Sequence, residues 1–449
     1  MALDKTNDRN SMDVISRRRY VVASLNCYWK QNPEAILNLP IPIVMEDGSE
    51  PIPPLVQKID LPDWAQDIGV EGQILVPQKY ILSGEEPLWE RIDWLGTVFW
   101  YLNGLAERSF EKKYGCIYSY SFRLKDWNPE LWRHAWVNRI ALFLRRWAAH
   151  CQNIIDEDTF FGPLPQTQII ITHDIDATCK TYNIYLKQTA FFLYGVLVYI
   201  YRRQLRKAWG KLCAATRFIF TQSEWKIFDT LFEIESLYNI KSWFFVYSST
   251  PGSCFYRDWI IDPSYHLSDT EISRSLYNLH AQGSPIGLHI SFNAWTDSAR
   301  ISVERQEAER VLGVPINACR QHWLRFSWIR SWKAQQASGL TLDATLGFND
   351  RSAFRNGAAL SFYPWDFESQ SPMNLQSMPL VLMDSHLYDY VDLNDVERDA
   401  EITYWLEEIR AVNGAATLLW HPHVLTPDYG WKQGFEALLT HFNAHKVVI

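Results

Sequence analysis

The chain has little that would tie it to an oxidising compartment. Its seven cysteines, Cys27, Cys116, Cys151, Cys179, Cys213, Cys254 and Cys319, are scattered and odd in number, and none forms a C-x-x-C pair. That argues against a disulfide framework and against a cysteine zinc knuckle, and it suits a reducing compartment. No basic start followed by an apolar run opens the sequence, so a cytoplasmic location is expected. Basic surplus is lacking too: 43 Lys and Arg stand against 51 Asp and Glu, for a net charge of −8. Nucleic acid is therefore not an expected partner. Internal repeats and low-complexity tracts are also missing.

Nor is there an uncharged run long enough to span a bilayer, which takes about 20 residues in a helix. Residues 188–201, QTAFFLYGVLVYIY, come nearest and are followed by the basic stretch RRQLRKAWGK. An apolar segment leading into a basic one suits peripheral contact with a membrane through residues 188–211. It suits better a buried or oligomer-interface helix that ends in a solvated basic turn.

Aromatic residues are abundant: 21 Trp, 22 Tyr and 23 Phe. Indole faces stack on sugar rings, and the same residues fill large cores. The length favours more than one domain. A Gly-Pro and a second Pro in FFGPLPQTQ (160–168) place a boundary near residue 165. Residues 1–165 are then a smaller α+β N-terminal domain, whose first dozen residues read as a loose terminus. Residues 166–449 form a second domain with a helical insertion at about 180–225.

In that second part short apolar runs alternate with helix-length periodic segments. QIIIT (168–172), SWFFVY (242–247), PIGL (285–288), LTLDAT, PLVLM (379–383) and ATLLW (416–420) read as strands. Residues 225–239, 299–312 and DVERDAEITYWLEEIRAV read as helices, and so does SWIRSWKAQQASG. Such alternation predicts parallel βα units, in which chemistry gathers at the C-terminal strand ends. Ionisable residues do follow the apolar runs: His173, Asp174 and Asp176, then His289, Asp343, Asp384 and His421. Carboxylates and imidazoles together suit a divalent metal that activates water, a base that takes its proton, and an acid for the leaving group. Asp174 and Asp176 are two apart and can project to one side.

The segments THDID (172–176), IGLHISFNAW (286–295), CRQHWLRF (319–326), LDATLGFND (342–350) and LLWHPH (418–423) resemble, in order, the motifs of the polysaccharide deacetylase superfamily, the NodB-homology domain. RQHWLRF, the GFND and AFRNG pair (347–357) and PLVLMDSHL (379–387) are similar to a subgroup linked to surface-polysaccharide biosynthesis. In that subgroup a domain of uncertain function comes first, and DWLGTVFWYLNGLAER (93–108) resembles part of it. The resemblance implies a distorted (β/α) barrel and a hydrolase that removes N-acetyl, or O-acetyl, groups from a carbohydrate. It implies Zn²⁺ or another divalent metal as cofactor. Asp174 resembles the catalytic base, Arg320 the arginine that orients it, and His421 the acid. Asp176 and His289 resemble metal ligands.

The sequence departs from the family at Asn293, where the second metal histidine is expected. A neutral amide is a poor transition-metal ligand. His322, His173 or a water could supply the third position, with His322 preferred because it lies beside Arg320 at a strand end. Asp343, Arg355, Asp384 and Trp323 are expected to contact the carbohydrate, which a membrane site at 188–211 would allow to be lipid-linked. Ion pairing of Arg355 with Asp350 or Asp366 is the alternative. Asp262 is expected to cap a turn, His386 to stand behind the groove, and His423 to be a neighbour of His421. The alternative for the whole protein is an impaired member of the fold that only binds carbohydrate.

Overall fold

The computed structural model describes residues 14–44, 50–248, 261–391 and 393–443. The first dozen residues and Cys254 lie outside these. The strands, in chain order, are β1 (Val56–Asp60), β2 (Gln73–Pro77), β3 (Gln168–Ile175), β4 (Trp243–Tyr247), β5 (Ile286–Ile290) and β6 (Ala318–Gln321). They continue with β7 (Leu342–Asp343), β8 (Trp365–Asp366), β9 (Ser371–Pro372), β10 (Gln376–Ser377), β11 (Leu380–Met383) and β12 (Ala415–Leu419).

Eight of them form one sheet in the order β10-β7-β6-β5-β4-β3-β12-β11, and every pair in it is parallel. The outermost strands, β10 and β11, do not pair with each other, yet only Met378 and Pro379 separate them in sequence. Three Cα steps reach about 11 Å at most. The two edges must therefore lie close together, and the sheet curls into an almost closed barrel. This is the expected α/β architecture. β1 with β2 and β8 with β9 are small antiparallel ribbons.

The local reasons are simple. β3 is a run of β-branched residues between two neighbours, covered on both faces as parallel strands are. Helices Ile227–Tyr238, Ser298–Leu312 and Asp395–Ala411 sit close to their expected spans. The last begins with a capping box from Asn394 and Glu397. The segment around residue 331 is helical only over Ser331–Ala337.

Residues 14–162 carry helices, 3-10 turns and the β1–β2 ribbon. Their apolar side chains, including Trp29, Trp94, Trp136 and Trp147, share one cluster with Phe326, Trp328, Trp332, Phe348 and Trp365. A second cluster joins β3, β4, β5, β11 and β12 to the outer helices.

Glu408 is a polar tie between the two halves. Its carboxylate accepts from Ala135 N (3.0 Å) and from Arg139 Nε (2.9 Å) and Nη2 (2.6 Å), with His134 Nδ1 3.2 Å away. Burial would raise this carboxyl, but His134 and Arg139 more than offset it and bring it from 4.5 down to about 2. A depressed carboxyl stabilises the folded state above its unfolded value and stops doing so as pH falls through the folded one. Glu408→Gln should thus be less stable than the native protein at pH 7 by on the order of 3 kcal/mol. The gap should close between pH 4.5 and 2, as urea unfolding across that range would show.

Candidate active site

Alternation along β3 sorts its side chains. His173 faces the outer helices, where Nδ1 meets Trp420 O (2.5 Å) and Nε2 meets Glu235 Oε1 (2.8 Å). Both ring nitrogens are spent, so His173 is no third ligand for the site. Thr172 and Asp174 face the barrel interior. There Arg320 Nη1, from β6, donates to Thr172 Oγ1 (2.7 Å) and to Asp174 Oδ1 (2.9 Å). Arg320 Nε donates to Ala344 O (2.9 Å), and the guanidinium lies 4.5 Å over the Phe245 ring. The glycine of the IGLH segment has a local cause: a Cβ on Gly287 would come within 2.6 Å of that ring.

Asp176, one residue past β3, meets imidazoles from three other strand ends. His289 Nε2 is 3.2 Å and His322 Nε2 4.0 Å from its Oδ1, and His421 Nε2 is 3.5 Å from its Oδ2. Asp176, His289 and His322 each offer one donor atom, and these lie within 4.8 Å of one another. Asp176 Oδ1 and both His289 ring nitrogens are buried and make no hydrogen bond. The 3.2 Å approach of His289 to Asp176 is therefore close without being aligned for a shared proton. Buried donor atoms this close together and without hydrogen bonds fit a cation's coordination sphere.

The electrostatics agree. Burial would push Asp176 upward, but the His289 contact and the neighbouring imidazoles hold it far below the usual carboxylate range. His289 is raised, with burial overcome by Asp174 and Asp176. His421 is raised to about 10, because Asp384, Asp176 and Asp174 outweigh its burial. His423 is lowered to about 4 by burial and by His421.

Each imidazole has a support. Asp384, just past β11, lies 3.0 Å from His421 Nδ1 through both oxygens and accepts from His421 N (2.6 Å). Asp262 Oδ1 lies 2.9 Å from His322 Nδ1 and accepts from Phe292 N (2.7 Å). A proton on Nδ1 shared with Asp262 leaves the His322 Nε2 lone pair facing Asp176. Asp262 was expected only to cap a turn. Its partner lies 60 residues away along the chain, a distance at which no local signal operates.

These groups open into a cavity of about 270 Å³, also lined by Trp323, Tyr390 and Trp431. A neighbouring cavity of about 430 Å³ shares Asp176, His322 and Trp323 and is walled by Lys187, Gln188 and Phe191 of helix Tyr182–Tyr201. Trp323 is 48% exposed at the mouth, in a left-handed backbone conformation with φ 57°. Such a conformation is strained for a bulky residue and typical of functional loops. Asp389, also in the cavity wall, is raised to about 6 by burial against the pull of Lys211.

Two expected substrate contacts, Asp343 and Arg355, need correction. Asp343 is fully buried and accepts from Trp332 Nε1 (3.0 Å) and Gln335 Nε2 (2.9 Å), so it braces β7. Asp384 lines the cavity and also holds His421. Arg355 is sealed in the core. It donates to Glu107 Oε2 through Nη2 (2.8 Å) and Nε (3.1 Å), and to Gly347 O through Nη1 (2.9 Å). Its partner is Glu107, not Asp350 or Asp366. Asn293 is exposed and accepts from Arg325 Nη1 (3.0 Å). His386 is buried and lowered to about 4, chiefly by burial, and its Nδ1 accepts from Met383 N (3.1 Å).

No family model and no curated protein matches the sequence. Among solved structures the chain is similar to a protein from Mycobacterium smegmatis described as a polysaccharide deacetylase. That match has 14% identity, covers 64% of this chain and 93% of the other, and has a TM-score of 0.35. It is also similar to a mutant of a CE4 family pseudoenzyme with restored enzymatic activity. Here identity is 10%, coverage is 63% of this chain and 64% of the other, and the TM-score is 0.31.

Proposed function

We propose that this cavity is the active site of a metal-dependent hydrolase that removes N-acetyl, or O-acetyl, groups from a carbohydrate. The observation that carries this reading is the donor set of Asp176, His289 and His322, flanked by Asp174 and His421. A divalent cation such as Zn²⁺ on those three donors would polarise the acyl oxygen and make bound water more acidic.

The protein's own groups supply the rest. Asp174, fixed by Arg320, takes the proton of the attacking water. His421 keeps its Nδ1 proton against Asp384 and delivers a second proton from Nε2 to the departing nitrogen or oxygen as the acyl bond breaks. Acetate and the free amine or hydroxyl result. The exposed Trp323 ring supplies a flat face for a sugar. Surface-polysaccharide metabolism is the setting that the motif resemblance suggests.

The replacement of Asn293 motivates the alternative of a protein that only binds. His322, oriented by Asp262, supplies the missing imidazole and favours an enzyme. Metal analysis by mass spectrometry together with acetate release from acetylated oligosaccharides tests this. About one divalent ion per chain and turnover are expected; protein with neither would sink the reading. His322→Ala should lose the metal, and Asp262→Asn should weaken its binding about 10–100-fold. Unchanged metal affinity in both variants would remove His322 from the site.

A further inference from the structure

Between Asp176 and Glu224 the chain has no acidic residue and eight basic ones, although the whole protein carries −8. This segment folds as a hairpin of helices Tyr182–Tyr201 and Leu205–Phe220. The first is the one helix among the described residues long and apolar enough to cross a membrane, and only 6% of its apolar window is buried. Leu197, Ile200 and Tyr201 are 50–88% exposed, as are Leu205 and Trp209 across the turn. At the turn Arg202, Arg203 and Arg206 are exposed. Neither they nor Lys207 has a carboxylate partner among the described residues.

A helix apolar on most of its perimeter is not built to face water. Full insertion would drag the cations of the turn through the hydrocarbon, which is costly. Pairing with a second copy of the same face would bring one basic surface against another. Apolar residues mixed with Tyr, Trp and unpaired cations suit the headgroup level of an anionic bilayer.

We propose that the hairpin is a docking element for an anionic lipid bilayer. The same helix walls the cavity through Lys187, Gln188 and Phe191. Phe191 and Ile200 are separated by about 14 Å of helix rise. Docking therefore holds the mouth near the headgroup layer. Resting on the hydrolase reading, the substrate class is then an acylated glycan carried on a lipid anchor.

Flotation of the full chain with vesicles tests the docking without any substrate. Co-flotation is expected with phosphatidylcholine containing roughly a third phosphatidylglycerol, weakening as salt is raised. Phosphatidylcholine alone should bind far less. Reversal of Arg202, Arg203, Arg206 and Lys207 to Glu should lower partitioning at least about 100-fold. Leu197→Ser with Ile200→Ser and Trp209→Ser should lower it comparably. Near-UV circular dichroism confirms that both variants are folded. Failure of the native chain to float with anionic vesicles overturns the proposal, as does undiminished binding by both variants. So does a dimer in light scattering that the apolar variant dissolves while no vesicle is bound. Acetate release from a soluble acylated oligosaccharide is read separately, so a failed hydrolase and a failed docking element are distinguishable.

Discussion

Replacing Asp174 by Asn should cut acetate release by about 10²–10⁴-fold, the range a general base contributes. Asn keeps the shape and one carbonyl oxygen, so it can still accept from Arg320 Nη1, where the native distance is 2.9 Å. What it loses is the capacity to take a proton. Arg320 keeps its bonds to Thr172 Oγ1 and Ala344 O and its seat over Phe245. The Arg320 charge is left buried without its carboxylate, so the variant should lose about 3 kcal/mol, the lower end for a broken buried pair, because Asn still accepts. Metal content should not change, because the donor group of Asp176, His289 and His322 is intact. The measurement is the rate per folded, metal-loaded chain. Full activity in this variant would mean that another group takes the proton.

Arg355→Met should have the largest effect on stability. The guanidinium has no exposed surface, and Glu107 beside it is almost as deeply buried. Glu107 also accepts from Trp328 Nε1 (2.7 Å), while Arg355 lies over the rings of Phe326 and Phe348. Removing one member of such a pair strands the other charge in a low-dielectric core, at about 3–5 kcal/mol. Pairing Arg355→Met with Glu107→Gln should recover a large part of this, because no unpaired charge remains. Denaturant unfolding of the single and double variants measures both numbers. In the folded fraction of the single variant KM should be native. A raised KM with native stability would instead restore Arg355 to the substrate groove.

Much of the barrel is legible in the sequence. The apolar runs of β3, β4, β5, β11 and β12 are covered on both faces, so composition alone marks them. Reactive residues follow them directly because strand ends are where backbone order stops and side chains can converge. The twofold alternation of a strand also separates Asp174 from His173, so the role of the latter was open to the same reasoning. β7 lies within the LTLDAT run, but β10 was harder. With only two residues, it carries too little pattern to register.

The site was legible in part. Asp174, Asp176, His289, His322 and His421 meet in one cavity. Asp262 and Glu107 gave no warning, because each acts on a residue far away in the chain and an isolated acid looks alike in a cap, a brace or a groove. That Asp343 and Arg355 point away from the cavity was hidden for the same reason: motif position tells that a polar residue is needed, not which way it points. The segment 188–211 carried both an apolar run and cations, but composition is silent on whether such a helix is covered.

What the sequence determined by itself is the local part: strand and helix periodicity, and the placing of acids and imidazoles at strand ends, since both depend on neighbours along the chain. Which imidazole completes the donor set, which charges are sealed in the core, and that the apolar hairpin stands uncovered were decided only by tertiary structure. Burial and pairing are set by residues that approach through space, and one-dimensional order carries no measure of that approach.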